Sequence, residues 1–574
     1  MKAQDLRIDL NAISQQYDPM GSSPEHVVIK RLLNIIEGVA TEIEELKGEV
    51  QKLRDENNRL KGEQGKPDIK ANKKKAADIS SEAERKQAQA DASTDVATGG
   101  AEVGDDASDK KKRNREPKLP KIKIDHIQIC PLVKDGLPDD LKFTGYEDVV
   151  IQDMIIRTNN VQYRREVYYS PSQKKFFSAE LPDDVRGQGQ FGPGIRSLIP
   201  FFKTEGGMSE KRILGFFQNF GVEISAAYIS QQWTGGYELF HQEKSDLYRA
   251  GIAASEYVQI DDTSARVNGV NYCCQVVCSP LFTSYSTVAN KDRLSVLSVL
   301  SDISPPHYLY NEHAQGLLDT FNLSGKARVA IDAVLPLNVV MTEDEFIDNY
   351  IDIGILGERQ GTHLAEACAI AYYQQQTEFP IINILVADDA PQFKLITKHL
   401  ALCWIHDGRH YKKLSPFVPT HQDELTEFRE RYWLYYTELL KFKRNPTAQE
   451  KIRLSIEFDE IFSSTTGYDD LDERISKTLA KKTELLLVLE YPQLPLHNNA
   501  SELGARVQAR ARDVSFQTRN TRGTKIKDTF MTINQTAKKL GVSFYDYVFD
   551  RVSNAFKLPS LVELITLKAQ NLSI

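Results

Sequence analysis

Two neighbouring aspartates, Asp261 and Asp262, stand where a short run of alternating, β-branched residues ends. The run begins at Tyr257 and is typical of a strand, and the Asn268-Gly269 pair behind it predicts the tight turn of a hairpin. Carboxylates crowded at the end of a core strand repel one another and are stabilised by a divalent cation. The alternative is an ordinary solvated loop, and this pair alone does not decide between the two.

A second acidic pair and a third acid repeat the pattern further along the chain. Asp388 and Asp389 follow the apolar, β-branched run 381–386, which is typical of a buried strand. Glu502 lies in the first turns of a predicted helix. Acids carried by strand, strand and helix predict a ribonuclease-H-like sheet in which Asp261, Asp388 and Glu502 converge. Three such carboxylates can hold two Mg²⁺ ions, one activating a water or a 3′-hydroxyl and the other stabilising the leaving oxygen at phosphorus.

The chain turns basic around the third acid. From residue 502 to residue 540, nine Lys or Arg stand against three Asp or Glu, a local charge of +6 in a chain of formal net charge −8. This reversal of sign predicts a phosphate-binding surface beside the proposed metals, although a solvated helix is the alternative. The residues expected to contact DNA are Arg506, Arg510, Arg512, Arg519, Arg522 and Lys525.

The totals exclude several other classes of protein. A chain of 574 residues, 41% of them hydrophobic, is long enough for several domains. Its negative charge argues against a uniformly basic nucleic-acid binder. Its six cysteines are sparse and form no C-x-x-C pair, which favours a reducing compartment and no zinc. The polar start and the absence of a long apolar run predict a cytoplasmic protein with no membrane partner.

Apolar residues step by three and four from Ile29 to Leu60, ahead of the acidic region. They place β-branched residues at heptad position a and mostly Leu at d, with Asn57 at one a position. This favours a parallel two-stranded coiled coil over residues 25–63, and therefore a homodimer. A single amphipathic helix packed on its own domain is the alternative. Residues 62–116 are polar and charged and predict a disordered linker whose basic end either contacts phosphates or is solvated.

Two further patterns predict a DNA-binding region. Short alternating runs between residues 118 and 181 favour a small antiparallel β-ribbon, and residues 208–217 and 225–233 have helix-turn-helix spacing. We therefore expect a coiled-coil region in 1–61, a linker in 62–116, a DNA-binding region in 117–250, a catalytic domain in 251–554 with helical insertions at about 303–379 and 407–490, and a tail in 555–574.

Three segments resemble the transposases of insertion-sequence family 66, a bacterial family with a DDE triad. They are Ile260-Asp-Asp-Thr263; Ala387-Asp-Asp-Ala390 with Leu402-Cys-Trp-Ile-His406 and Arg409; and His497-Asn-Asn-Ala-Ser-Glu502 with Arg506, Arg512, Phe516 and Thr536-Ala-Lys-Lys-Leu-Gly541. The resemblance covers roughly residues 258–548.

The resemblance implies an α/β protein with a ribonuclease-H-like catalytic core and helical insertions. It implies Asp261, Asp388 and Glu502 as catalytic residues and ligands of Mg²⁺, for which Mn²⁺ can substitute. A one-residue shift in alignment would substitute Asp262 or Asp389. The implied partners are transposon terminal inverted repeats, target DNA and accessory transposition proteins, in a nucleoid-associated bacterial protein.

The sequence also departs from the family. Members usually carry a cysteine zinc module before the core, whereas only Cys130 stands in that region, which predicts a metal-free ribbon. By contrast, Cys403 and His406 form a C-x-x-H pair that similar transposases also show after the second acid, and it is expected to hold the helical insertion in place. With two ligands, zinc is not expected there. Two other functions remain open: a sequence-specific DNA-binding regulator with an inactive core, and a ribonuclease-H-like nuclease without strand transfer.

Overall fold

The computed structural model describes residues 23–60, 124–132, 142–182 and 190–572. These residues form a mixed α/β protein with a long N-terminal helix and a five-stranded mixed sheet surrounded by helices. The predicted linker 62–116 and its basic end lie outside the described residues, as do the first 22 residues of the predicted coiled-coil region. No helix in the described ranges combines the length and the apolar character that crossing a membrane requires.

The first helix, α1 (Pro24–Leu60), follows the heptad pattern. Its seam is exposed at the d positions Leu32, Val39, Leu46 and Leu53, each with about half of its surface or more in solvent. The N-terminal part of α1 packs against the rest of the chain, where Leu33 and Val418 form a small buried cluster that the a-position residues Ile29 and Ile36 also contact. The helix therefore does pack on its own domain, through contacts that include the first two a positions and leave the seam from Val39 to Leu53 exposed.

A buried carboxylate holds α1 in this position. Glu37 is 3% exposed and accepts hydrogen bonds from the backbone N–H groups of Phe417 and Val418. Its carboxylate also lies 3.1 Å from Nδ1 of His421. The two N–H groups precede the first turn of a long helix, where backbone donors have no partner within the helix. Glu37 therefore satisfies a helix start and fastens α1 to it at the same time.

The predicted β-ribbon is much smaller than the sequence indicated. Among the described residues of this region, only β1 (Val167–Ser170) and β2 (Lys175–Ser178) form strands, paired as a hairpin, and the run 154–157 is not a strand. Ile151 and Ile155 are more than 80% exposed, and the aromatic residues of the hairpin are exposed as well. Alternating apolar residues form a sheet when one face is covered, and the described residues offer no such cover here.

Four helices come next and contain the predicted helix-turn-helix pair. They are α2 (Pro193–Thr204), α3 (Glu210–Asn219), α4 (Ala226–Thr234) and α5 (Glu238–Ala253). The hydroxyl of Ser225 caps α4 by accepting a hydrogen bond from the N–H of Tyr228. In the turn between α3 and α4, Gly221 has a positive φ of 72°, which glycine adopts readily. One face of α4 is buried through Ile229 and Trp233.

An antiparallel meander begins the sheet. It consists of β3 (Val258–Val267), β4 (Val270–Cys278) and β5 (Thr283–Val288). Asn268 and Gly269, with φ of 47° and 81°, form the predicted two-residue turn. β3 extends to this turn because it pairs with β4 along its whole length after residue 258. Asp261 and Asp262 therefore lie within β3, which corrects the expectation that they end it.

Helices separate this meander from the remaining strands, as the sequence predicts. The elements are α6 (Arg293–Ser301), β6 (Tyr308–Leu309), α7 (Glu312–Thr320), α8 (Gly325–Val334), β7 (Val340–Met341), α9 (Glu343–Ile353) and α10 (Glu358–Gln375). β6 and β7 pair as a separate two-stranded sheet. The inner faces of these helices join the largest hydrophobic core of the chain, which also includes residues of the main sheet.

β8 (Ile384–Ala387) and β9 (His399–Leu402) complete the main sheet. β8 pairs in parallel with β3, and β9 pairs in parallel with β8, so the strand order is β5-β4-β3-β8-β9. Side chains alternate between the two faces. Ile260 and Leu385 face the largest core, whereas Val276 and Val386 face the opposite side.

A helical domain with its own core follows β9. Its helices are α11 (Trp404–Lys413), α12 (Pro419–Arg444), α13 (Ala448–Phe462), α14 (Asp469–Leu479) and α15 (Lys482–Leu485). Aromatic side chains such as Trp404, Tyr435 and Phe458 fill this second core. The docking contacts of α1 are made with this domain.

Four helices end the chain: α16 (Asn499–Val514), α17 (Thr521–Leu540), α18 (Phe544–Val552) and α19 (Leu561–Leu572). Within the region expected to be a tail, α19 buries Leu561 and Ile565 completely in the largest core.

The helix α17 closes the free edge of β5. Side chains one helical turn apart accept hydrogen bonds from alternate N–H groups of the strand, in the pairs Asp528 with Thr287, Thr532 with Tyr285, and Thr536 with Thr283. Four residues of helix advance about 6 Å and two residues of strand about 6.8 Å, so the two spacings match. The side chains thereby cover donors that an edge strand would otherwise expose.

Candidate functional site

The sheet register brings Asp261 and Asp388 side by side. The parallel pairing of Val258 with Leu385 and of Gln259 with Val386, continued two residues further, places the two aspartates at equivalent positions. Adjacent strands are about 4.8 Å apart, and equivalent positions point to the same face. β8 ends at residue 387, so Asp388 extends beyond the strand while Asp261 lies within β3.

The start of α16 is fastened to β3 immediately before Asp261. The Asn498 side chain donates to the backbone carbonyl of Ile260 at 2.6 Å, and the hydroxyl of Ser501 donates to the Asn498 side-chain oxygen at 2.6 Å. Asn498 and Ser501 are both buried. These contacts set the first turn of α16, which carries Glu502, against the strand that carries Asp261.

A close approach of backbone to sheet then fixes how α16 lies on that face. A Cβ atom built on Gly504 would be 2.7 Å from Cγ1 of Val276, so only glycine fits. The hydroxyl of Tyr285 donates to the Gly504 carbonyl at 3.0 Å. Because Val276 pairs with Asp261 in the sheet, α16 lies on the face to which Asp261 points.

The three acids interact electrostatically. Burial, together with the negative charges of Asp262, Asp388 and Glu502, raises the pKa of Asp261 to about 7. The side chain of Glu502 is 17% exposed. The predicted triad is therefore brought together around one partly buried cluster of negative charge.

The neighbouring aspartates are instead neutralised by lysines. Asp262 forms a salt bridge of 2.6 Å with Lys291, and Asp389 forms salt bridges with Lys394 at 2.8 Å and with Lys481. Burial alone would raise the pKa of Asp389, but hydrogen bonds and charge from its two lysines lower it below its usual value. Among the described residues, neither Asp261 nor Asp388 has such a salt bridge. Their hydrogen bonds come from nearby backbone N–H groups, those of Asp262 and Ala390 respectively.

This difference distinguishes the two possible alignments of the acidic pairs. Asp262 and Asp389 already have cationic partners, so they have less need of a metal. Asp261 and Asp388 have no cationic partner in the described part of the chain and are the better candidates to bind a metal. The lysine partners could not be inferred from the sequence, because Lys291 and Lys481 come from distant segments.

The C-x-x-H pair lies beside Glu502. Sγ of the buried Cys403 accepts the backbone N–H of Asn498 at 3.3 Å, and the next residue, Trp404, donates its N–H to the carbonyl of Leu496 at 3.0 Å. Burial raises the pKa of the Cys403 thiol to about 11. Cys403 and Trp404 therefore join the start of α11 to the segment before α16, and the role of the C-x-x-H pair in holding the helical insertion stays a prediction.

His406 and Arg409 surround the Glu502 carboxylate. Nδ1 of His406 lies 3.7 Å from Oε1 of Glu502, and Nη2 of Arg409 lies 3.4 Å from Oε2. Nη1 of Arg409 is 2.9 Å from Nε2 of His406. Burial and the charge of Arg409 lower the pKa of His406. Ligand atoms of Cys403, His406 and Glu502 all lie within 4.8 Å of one another. The sequence indicated the first two residues but not that Glu502 would join them.

The predicted DNA-contacting residues are mostly in solvent. Five of the six are exposed: Arg506, Arg510, Arg519, Arg522 and Lys525. Arg512 differs, because its guanidinium donates to the carbonyl and hydroxyl oxygens of Ser264 on β3. Arg506 and Arg510 are one turn apart on α16 and extend from the turn that carries Glu502.

Comparison with known proteins identifies one curated relative. The uncharacterized protein y4jO of Sinorhizobium fredii (strain NBRC 101917 / NGR234) is 31% identical over 325 residues, which are 56% of this chain and 100% of the relative. No family model matches the sequence.

Proposed function

We propose that this chain, which belongs to the same protein family as y4jO, is a DNA transposase. It binds the terminal inverted repeats of a mobile element and catalyses metal-dependent strand cleavage and strand transfer to target DNA. It acts in the bacterial cytoplasm, in association with the nucleoid and with accessory transposition proteins. The relative is uncharacterized and therefore indicates no activity. The support for a transposase comes from the candidate site and the elements around it.

We further propose that the sheet is a ribonuclease-H-like core. Its three antiparallel strands are followed by two strands parallel to the first, with a helix across one face. The first strand carries Asp261, Asp388 directly follows the fourth strand, and that helix carries Glu502. This is the arrangement of acids that the sequence predicts for such a core.

The observation that carries the proposal is the selective absence of a cationic partner. Two acidic pairs reach adjacent positions in the sheet, and in each pair the second acid has a lysine while the first has none within the described residues. Asp261 is held beside Asp388 and Glu502 despite their mutual repulsion. Leaving like charges together at a defined place is what a divalent cation site requires.

Asp261, Asp388 and Glu502 fit Mg²⁺, or Mn²⁺ in its place, because all three offer the carboxylate oxygens that these cations prefer. When bound, such ions activate the attacking oxygen and stabilise the leaving oxygen of an in-line displacement at phosphorus. The protein holds the acids for this purpose. Asn498 sets the helix carrying Glu502 against β3, and His406 and Arg409 orient the Glu502 carboxylate.

The same helix supplies a route for the DNA backbone. Arg506 and Arg510 are exposed one and two turns after Glu502, and Arg519, Arg522 and Lys525 continue the positive surface. Such a surface binds phosphates whatever the base sequence. Specific recognition of the inverted repeats is assigned to the region of the β1–β2 hairpin and the α3–α4 pair.

The transposase acts as a homodimer through the heptad seam of α1, which pairs two DNA ends. The seam positions from Val39 to Leu53 are exposed, whereas the docked part of α1 comes before them and includes the a positions Ile29 and Ile36. A second α1 can therefore bind along residues 39–53 without disturbing the docking. Replacing Val39 and Leu46 by Asp is expected to yield a monomer, because each charge falls in the seam. Light scattering of the full chain measures this. The matched control is Glu45→Asp, at an exposed position that lies off the seam.

Mn²⁺-dependent nicking of DNA that carries the element's own ends tests the proposed chemistry. Asp261→Asn, Asp388→Asn and Glu502→Gln are each expected to reduce nicking by at least about 10³-fold, because each loses several kcal/mol of metal-dependent stabilisation. DNA binding is expected to persist. Asp262→Asn and Asp389→Asn are matched controls that remove a carboxylate of the same type and should lose much less activity.

The same assay separates transposition from its alternatives. Specific DNA binding without nicking in the wild type would contradict the catalytic proposal and favour a DNA-binding regulator. Nicking without joining to target DNA would favour a nuclease. Equal losses in Asp262→Asn and Asp261→Asn would contradict the assignment of the triad within the acidic pairs.

A further inference from the structure

The first turns of α11 and α16 place three chemically different ligands around one point. Cys403 offers sulfur, His406 offers a ring nitrogen and Glu502 offers a carboxylate oxygen, all within 4.8 Å of one another. This mixture differs from the all-oxygen triad proposed for Mg²⁺. Thiolate and imidazole are ligands of Zn²⁺ and similar cations, whereas Mg²⁺ binds oxygen.

We infer that Cys403, His406 and Glu502 form a second cation site, which binds a thiophilic divalent ion such as Zn²⁺. The sequence offered two ligands and argued against zinc, and the third ligand comes from a helix almost a hundred residues further along. Tetrahedral coordination at usual bond lengths puts ligand atoms about 3–4 Å apart, so a modest contraction of the cluster completes the site.

One ligand atom of the cluster makes no hydrogen bond among the described residues. Nδ1 of His406 is buried and has no hydrogen-bond partner among the described residues. It lies 3.7 Å from Oε1 of Glu502, so it is directed into the cluster. A buried ring nitrogen usually has a partner, and a cation at this point would supply one.

Both ligand-bearing segments are held before any ion arrives. The N–H of Asn498 donates to Sγ of Cys403, and the N–H of Trp404 donates to the carbonyl of Leu496. A cavity of about 250 Å³ is lined by Cys403, His406 and Asp388, so it reaches two of the three ligands. Three protein ligands leave one coordination position open, which is typical of an exchangeable ion rather than a closed structural site.

Arg409 competes with the ion. Its Nη1 is 2.9 Å from Nε2 of His406, which in a neutral ring accepts that hydrogen bond and leaves the proton on Nδ1. Binding through Nδ1 therefore requires the ring proton to move to Nε2 and Arg409 to move away. The thiol proton of Cys403 is released to solvent, since the thiolate is the ligand. Arg409 is 47% exposed and free to turn outward.

Occupancy of this site would affect the proposed reaction. Glu502 cannot fully serve a thiophilic ion and the Mg²⁺ triad at once, so the ion acts as an inhibitor that competes for the third acid. This part of the inference rests on the proposed function. The binding of the ion does not, and the two are measured separately.

The binding test is a Co²⁺ titration of the metal-stripped full chain without DNA, because thiolate ligation gives Co²⁺ a strong near-ultraviolet charge-transfer absorbance. We expect the wild type to show this band and excess Zn²⁺ to remove it. Cys403→Ser is expected to abolish the band, and His406→Gln to weaken Co²⁺ affinity at least about tenfold. Cys130→Ser, which removes the exposed thiol, is the matched control and should keep the band.

The direction of the Arg409 effect sharpens the test. Arg409→Ala removes the competing donor and a positive charge and is expected to tighten Co²⁺ binding. No charge-transfer band in the wild type, or a band retained in Cys403→Ser, would overturn the site. Weaker binding by Arg409→Ala would contradict the assignment of Nδ1. Thermal melting in the presence of a chelator shows whether each variant is folded. If Cys403→Ser is not folded, the Co²⁺ affinity of His406→Gln decides whether the site exists.

The inhibition test is Mg²⁺-dependent nicking with and without added Zn²⁺. We expect Zn²⁺ to inhibit the wild type and to have far less effect on the nicking that Cys403→Ser retains. Equal inhibition of both would contradict the competition for Glu502. If the wild type does not nick DNA under any condition, the proposed function fails, while the Co²⁺ titration still decides whether the ion binds.

Discussion

Two carboxylates, Asp528 at the sheet edge closed by α17 and Asp261 in the acid cluster on β3, have opposite surroundings. At the edge, Asp528 is 5% exposed and both of its oxygens accept hydrogen bonds, from the N–H and the hydroxyl of Thr287. In the cluster, Asp261 accepts one hydrogen bond from the next backbone N–H and faces two other acids.

The contrast separates carboxylates that stabilise the fold from those available for chemistry. Asp528 is matched to a fixed set of donors and joins a helix to a strand. Among the described residues, Asp261 accepts one backbone hydrogen bond and has no cationic side chain paired with it, so a cation can bind its carboxylate. The lysine-paired Asp262 and Asp389 lie next to the cluster but belong with Asp528 in this respect.

The largest stability effect is expected from Asp528→Ala. It leaves a partly buried N–H of Thr287 without an acceptor and loosens α17 from β5, so we expect a loss of about 2–4 kcal/mol in the free energy of unfolding. Urea unfolding followed by circular dichroism measures it. Asp513→Ala removes an exposed aspartate and should change stability by less than about 0.5 kcal/mol. A similar small change for Asp528→Ala would undo the contrast.

The opposite sign is expected at Asp261. Its folded-state pKa of about 7 lies above that of an unfolded aspartate, so the contribution of this group is most favourable at low pH. That contribution is lost as pH rises from about 4 through 7. Asp261→Asn removes the charge, and we expect it to raise the melting temperature more at pH 8 than at pH 5. Equal shifts at both pH values would show that Asp261 does not titrate in this range.

The smallest effect is expected on the surface beside the cluster. Arg506→Ala removes one exposed cation next to Glu502 and should weaken DNA binding about equally for all sequences, with the salt dependence reduced by about one phosphate contact. Fluorescence anisotropy at several salt concentrations measures this. Arg512→Ala is a useful contrast, because Arg512 already donates to Ser264 and should contribute less to the salt dependence. The reverse order of the two would contradict the assigned surface.

Local patterns predicted a large part of this fold. Asn268-Gly269, Ser225 and the heptads of α1 each encode their element within a few residues, and the structure contains the hairpin, the capped helix and the long helix. Spacing also brought the three acids into consideration, although Asp261 lies within its strand rather than at its end.

What the sequence did not predict depends on distant contacts. The lysines that neutralise Asp262 and Asp389, and the joining of Glu502 to Cys403 and His406, require knowledge of which segments meet. The prediction of a strand at residues 154–157 was wrong for a related reason. Alternation at residues 154–157 marks a potential strand, but no face in the described residues covers it, so periodicity alone did not produce pairing.

The docking of α1 also has a consequence for symmetry. In a dimer formed through its seam, the two-fold axis runs along the paired helices. Glu37 fixes each helix to its own helical domain, so the direction of that axis relative to each sheet is set within the subunit. Inverted repeats are themselves related by a two-fold axis. If the proposed dimer binds two inverted repeats, the docking of Glu37 would orient two identical sites towards two identical DNA ends.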